Sequence, residues 1–339
     1  MVSIKGFISS NFTKAFLMIF LPFFLIFTLV YLVKISSLTA QIQISFGELL
    51  QLYSYSVPDI IFYTLPVSFI VALANVLLKL SQSNELIALY ALGLKANKIL
   101  RSLLLLGLLF SILLGVISFL AMPLSKQLLK EFKSSKKSEA KINIVAGKLG
   151  QKFGEYYIYV KENKNDKLQN IVIYNRTKKD EEQFFASKTG RLNKIHGITS
   201  LELNNGYGYT YTKTNLQQAK YKKLEVYDTQ RSKNFKFEDI IAHWSKAKTD
   251  IKMLHRVLFF VFVSLIPLLS VYLLAAFTMI NPRYQANHAF LISFITILGL
   301  YMIASSLEKW GTFIFLFIVV LATFFLGKWL FNKRVAKYF

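Results

Sequence analysis

Six long apolar runs divide this chain, at residues 15–33, 60–78, 103–124, 257–280, 289–307 and 310–331. Each approaches or exceeds the roughly 20 apolar residues that a helix needs to cross a ~30 Å hydrocarbon core. Between the third and fourth runs lies a single polar, lysine-rich block. The layout predicts an α-helical membrane protein with six transmembrane helices, three and three, around an inserted domain. Residues 1–124 then hold spans one to three, 125–252 the inserted domain with helical connectors, and 253–339 spans four to six and a tail. No small-residue cleavage site follows the first run, so it reads as a retained span and not as a cleaved signal.

Charge sets the orientation expected. The formal net charge is +23, and residues 126–252 hold 27 Lys and Arg against 14 Asp and Glu. Elsewhere the acids are only Glu48, Asp59, Glu85 and Glu308. With six spans present, such a basic balance points to anionic lipid and not to nucleic acid. Placing the N-terminus in the cytoplasm puts Lys5, Lys14, Lys79, Lys95, Lys98, Arg101, Arg283, Lys328, Lys333, Arg334 and Lys337 in short inner segments, against Lys34 and Lys309 in outer ones. The basic flanks of the block, from Lys126 to Lys137 and from Lys246 to Arg256, pull the other way. Short loops decide topology, whereas long domains translocate largely regardless of charge. Both termini are therefore expected inside and the block outside. Cysteine is absent, which excludes disulfides without assigning a compartment.

The block begins as a helical extension of the third span, with Leu128, Leu129 and Phe132 among lysines. From Ile142 the period changes to two, as in Tyr157–Tyr159, Ile171–Ile173, Leu201–Leu203, Tyr207–Tyr211 and Leu224–Val226. Turn signals fall between these runs, among them His196-Gly197 and Asn204–Gly206. Short strands at this spacing predict an all-β domain, an antiparallel sandwich or jelly roll. Its tyrosines fit a half-buried sheet surface; a lipid-contacting role would need an open sheet interior. Residues 235–250 return to helical spacing.

Several chemistries are missing. Ala146-Gly147-Lys148 lacks the spacing and hydroxyl of a phosphate-binding loop. The histidines His196, His243, His255 and His288 are scattered, with no metal-ligand spacing. No nucleophile elbow and no paired intramembrane carboxylates occur. The chain reads as a non-enzyme without cofactors, whose energy must come from another subunit.

The sharpest local signal is Ser83–Lys95, between spans two and three. Ser83 suits an N-cap, Glu85 favours the first turn, and Gly93 suits a C′ position. Leu86, Leu89, Tyr90 and Gly93 mark one face; Glu85, Ala88 and Leu92 mark its neighbour. Small residues at Ala88 and Ala91 allow a groove on another protein to approach closely. A helix resting on lipid is the alternative.

This run resembles the coupling helix of the lipopolysaccharide export permeases of the LptF/LptG (YjgP/YjgQ) family, in which a glutamate opens the helix and an Ala/Ser-x-Gly closes it. Glu85 and Ala91-Leu92-Gly93 fit that pattern. Val57-Pro58-Asp59 through Pro66 is similar to the family's second span, and Ile280-Asn281-Pro282-Arg283 to the loop after its fourth. Gly154–Val160, Ala186 with Gly190, and Leu201–Gly206 resemble its periplasmic β-jelly-roll. The likeness covers essentially the whole chain, in order.

The resemblance implies a permease subunit of an ATP-driven exporter in the bacterial inner membrane. It implies pairing with a second homologous permease, and coupling helices gripped by a dimeric cytoplasmic ATPase of the LptB type. Lipopolysaccharide would enter from the outer leaflet and pass through the periplasmic domain to a bridge protein of the LptA/LptC type. ATPase coupling is expected at Glu85, Leu86, Ala88, Leu89, Ala91, Leu92 and Gly93. Lys34, near the outer end of the first span, is the candidate contact to lipid A phosphates; snorkelling to the interface is its alternative. Two rivals stand beside this reading: a permease of another ATP-driven lipid or lipoprotein exporter, and a membrane sensor or scaffold.

Overall fold

The computed structural model describes residues 4–39, 45–141, 144–153, 156–164, 167–178, 181–195, 198–212, 214–227, 237–279 and 289–337. Gly154, His196, Gly197, His288 and the loop 280–283 lie outside the described residues. The described chain forms two compact units, one helical and one built on a sheet.

Helix α1 (Ile4–Thr39) is followed by a short helix α2 (Phe46–Ser54) and then by α3 (Val57–Gln82), α4 (Glu85–Ala91) and α5 (Ala96–Val116). A single π-helical turn at Ile117–Ala121 joins α5 to α6 (Met122–Lys141). After the sheet come α7 (Ile240–Ser245), α8 (Ile251–Thr278), α9 (Ala289–Trp310) and α10 (Phe313–Phe331). Six of the helical stretches are long and apolar enough to cross a membrane. The sixth starts later than its apolar run. Gly311 breaks the chain where a Cβ would collide with the Leu307 carbonyl oxygen, and the Thr312 hydroxyl then caps α10 at the Phe315 amide, 3.2 Å away.

Helix α2 was not foreseen in the sequence. Ser45 and Glu48 form a capping box: the Glu48 carboxylate accepts from the Ser45 amide at 2.9 Å and the Ser45 hydroxyl from the Glu48 amide. The Tyr53 hydroxyl meets that of Thr28 at 3.1 Å, tying α2 to α1.

Helices α3 and α8 form the centre of the helical unit, with 72% and 67% of their most apolar windows buried, whereas α1 and α10 bury 6% each. Apolar surface exposed at that scale needs acyl chains or another subunit against it. Close approach at the centre depends on a small residue. A Cβ at Gly107 of α5 would stand 3.1 Å from the Pro267 carbonyl oxygen and from Val271 of α8. Sparse polar contacts accompany it: Ser118 to Ser264 at 3.3 Å, and the Ser81 hydroxyl to the Thr278 carbonyl at 3.0 Å. Replacing Gly107 by Leu is expected to force α5 and α8 apart at a cost of about 1–3 kcal/mol. A fall in the thermal midpoint of the detergent-solubilised protein, absent in Gly115→Leu, checks this; a Cβ at Gly115 meets open space.

Where the third span leaves towards the sheet, the chain's exit and return are pinned together. The Gln127 side chain donates to the Glu238 carbonyl at 3.1 Å and accepts from the Glu238 amide at 2.8 Å. The Trp244 indole N–H donates to the Phe119 carbonyl, within the π-helical turn, at 2.9 Å, and its ring packs against Phe119 and Phe260, which also meet each other. The Glu238 carboxylate pairs with Lys246 and His243, and Lys246 above all holds its carboxyl below the usual range.

The sheet has six antiparallel strands: β1 (Gln151–Phe153), β2 (Tyr156–Lys164), β3 (Lys167–Lys178), β4 (Glu181–Ile195), β5 (Ile198–Thr212) and β6 (Leu216–Tyr227). Each pairs with the next, so the strand order is sequential. The inserted all-β domain is present, but among the described strands it is one bent meander, without the crossovers of a sandwich or jelly roll. One face buries Ile158, Val160, Ile171, Ile173, Leu201 and Leu203. The other carries the alternating tyrosines, with Tyr157, Tyr207 and Tyr211 exposed.

The bend is coherent across the sheet. In β3, β4, β5 and β6 the inward positions on either side of it are 168 and 171, 187 and 190, 203 and 206, 221 and 224. Strict alternation would leave one outward residue between them, yet each strand has two. Asn170 and Asn205 accommodate the step with left-handed backbones, φ 49° and 54°. On the inside of the bend no Cβ fits: at Gly190 one would meet Ile171 and the Glu202 carbonyl, and at Gly206 the Ala186 carbonyl and the Tyr221 ring.

Candidate functional site: the α4 helix and the Lys34 end

Helix α4 is built as expected at its C-terminus and differently at its N-terminus. The Gly93 amide donates to the Tyr90 carbonyl at 2.9 Å and the Leu94 amide to the Leu89 carbonyl at 3.2 Å. With Gly93 at φ +77°, this is a Schellman end. A Cβ at Gly93 meets no atom within 4 Å, so the glycine is required by backbone alone. Gly93→Ala should cost about 1–2 kcal/mol of local helix stability. Faster hydrogen exchange in residues 85–92, without change in α3, would show it.

Ser83 is not the N-cap. Its hydroxyl donates to the Lys79 carbonyl at 2.9 Å, closing α3 instead. Asn84 occupies the cap with φ 59° and no side-chain cap bond. The reversal between α3 and α4 takes only two residues, and the left-handed turn at Asn84 makes it possible.

The two faces of α4 divide the work. Leu86 is buried, and Leu89 and Tyr90 pack half-buried on the helical unit. These residues seat the helix: Leu86 is covered, while Leu89 and Tyr90 keep part of their surface exposed. Burial raises the Tyr90 phenol pKa. Ala88, Ala91, Leu92 and Gly93 are exposed, Leu92 at 77%. Between the faces lies Glu85. One of its carboxylate oxygens, Oε2, is buried without a hydrogen-bond partner among the described residues. An acid so placed, at the start of a helix with an exposed small-residue face, suits an incoming cation.

At the opposite end of the helices, Lys34 is exposed, with its ammonium 5.8 Å from the centroid of the Tyr31 ring. Asp59, in the first turn of α3, stands 3.8 Å from Lys126 of α6, and Lys34 is the second cation acting on its carboxylate. Lys126 also lies over the Phe260 ring of α8 at 5.7 Å. Lys34 therefore belongs to a charged cluster with Asp59 and Lys126. Residues 34, 59 and 126 are far apart in sequence, and only the antiparallel run of α1, α3 and α6 brings them to one end.

No metal cluster occurs among the described residues. The family model for the lipopolysaccharide export system permease LptF/LptG matches residues 7–333, nearly the whole chain. The chain belongs to this family. No individual curated protein matches it. LptF/LptG membership makes it a lipopolysaccharide export permease, a transport subunit in a multi-pass inner-membrane setting. The α4 helix lies between the second and third spans of this LptF/LptG chain, and the sheet domain between the third and fourth.

Proposed function

We propose that this chain is one permease half of an ATP-driven machine that draws lipopolysaccharide from the outer leaflet of the inner membrane and passes it, through its sheet domain, to a periplasmic bridge protein. Both termini and α4 lie in the cytoplasm, and the sheet domain lies outside. A cytoplasmic ATPase dimer of the LptB type holds α4 through Glu85, Ala88, Ala91, Leu92 and Gly93, while Leu86 and Leu89 keep the helix seated. A second, homologous permease covers part of the apolar surface of α1 and α10, and Lys34 meets the lipid A phosphates. The observation that carries this reading is the Glu85 oxygen, which is unpartnered among the described residues, beside an exposed small-residue face. It accounts for how a chain without a phosphate-binding loop receives work.

The test is hydrolysis by the separately encoded ATPase, purified with and without this chain. Stimulation by lipopolysaccharide only in the presence of the chain is the expected result. Stimulation by a lipoprotein instead would identify another exporter, and no association with an ATPase would favour a sensor or scaffold.

A further inference from the structure

The two-residue step of the sheet leaves a row of side chains that the fold does not need. Across β2, β3, β4, β5 and β6 the outward residues at the bend are Lys161, Asn170, Lys188, Asn205 and Lys222, all exposed. We propose that this Lys-Asn-Lys-Asn-Lys row binds a phosphorylated saccharide laid across the strands. The inference rests on the reading of the cargo as an anionic glycolipid.

The spacing is set by the sheet. Neighbouring strands lie about 4.8 Å apart, so successive lysines recur at roughly 10 Å and the row runs roughly 19 Å. Left-handed backbone explains asparagine at 170 and 205. It does not explain the lysines. Lys188 sits in β4, which is paired on both sides, where lysine has no strand preference in its favour.

Nor do the nearby acids explain them. Glu202 is engaged by Lys223 at 3.1 Å, which holds its carboxyl below the usual range, and Glu162 by Lys164 at 3.0 Å. Lys188 and Lys222 make no ion pair among the described residues. Ammonium groups bind phosphate as point charges, and the amides between them can donate to and accept from sugar hydroxyls.

What lies beside the row indicates an amphiphile. On the same face, immediately past the bend, is an apolar pocket lined by Val172, Phe184, Ala186, Tyr209, Tyr211 and Leu216. An acyl-bearing molecule with an anionic sugar portion matches both halves of that surface; a free phosphate or a nucleic acid matches only the row.

The experiment places a photo-crosslinking residue at Thr189, beside the row, or at Tyr207, on the aromatic half, in the full chain in cells. The cells make lipopolysaccharide with or without phosphates on its saccharide, lipid A phosphates being kept in both. The Thr189 adduct is expected to fall about tenfold without saccharide phosphates, as three weak exposed pairs would give. It should fall equally in Lys188→Glu/Lys222→Glu, while the Tyr207 adduct persists. An unchanged Thr189 adduct, or one formed with a protein, overturns the proposal. If neither position captures any lipopolysaccharide, the cargo reading fails. A phosphorylated oligosaccharide titrated onto the purified chain in nanodiscs then decides for the row: phosphate-dependent binding lost in the double variant upholds it, and no binding ends it.

Discussion

Glu85→Lys is expected to abolish stimulation of the partner ATPase while the protein still inserts and assembles its sheet. The carboxylate sits where α4 leaves α3, with one oxygen buried and unpartnered among the described residues. A lysine there removes the acceptor and sets a like charge against any cation the ATPase brings. Losing one partner of a desolvated charge pair costs about 2–5 kcal/mol, well beyond the tenfold that 1.4 kcal/mol represents. Glu85→Gln keeps the shape and should fall between the two. A charge swap separates contact from misfolding: the matching cation of the ATPase changed to Glu should restore hydrolysis to Glu85→Lys and not to wild type. Leu86→Ala supplies the contrast, since it loosens the seat of α4 in the helical unit. Its effect should appear in hydrogen exchange of α4 before it appears in hydrolysis. Normal coupling in Glu85→Lys would remove α4 as the attachment point.

The parts of this fold that were legible in the sequence were those governed by composition over long windows. Six spans follow from apolar length, and the inserted strands follow from period two. The Schellman end of α4 was visible in Gly93, because a left-handed residue just past a helix end is usually glycine. What escaped depends on contacts between distant residues or on competition for a hydroxyl. Ser83 looks like a cap, but the Lys79 carbonyl of its own helix takes its hydroxyl. Helix α2 is legible in principle from Ser45-Phe46-Gly47-Glu48, but it is too short to show in a pattern of apolar spans. Burial of Leu86 and exposure of Leu92 could not be read from helical spacing, which gives faces without saying which one meets the protein. The Lys34, Asp59 and Lys126 cluster and the bend of the sheet exist only once strands and helices are in register.

Gly206→Ala should destabilise the sheet domain by about 2–3 kcal/mol, at the upper end of overpacking costs, because nothing near it can yield cheaply. The new methyl would meet the Ala186 backbone oxygen on one side and the Tyr221 ring on the other. Tyr221 cannot swing away without losing its hydrogen bond to that same carbonyl, 3.1 Å long. Gly208→Ala, two residues on and facing the same side, meets only the edge of the Phe185 ring, at 3.1 Å, and should cost about 1 kcal/mol, the lower end of the same range. Hydrogen exchange along β5 and β6 in the full-length protein reads the difference, and equal effects at the two glycines would refute the argument. The consequence reaches past stability. Gly206 lies on the inside of the step whose outside presents Asn205 between Lys188 and Lys222, so a methyl that opens the bend also spreads the row. Gly206→Ala at a temperature where the domain remains folded is therefore expected to weaken saccharide capture at Thr189 while leaving the aromatic half, and its adduct at Tyr207, in place.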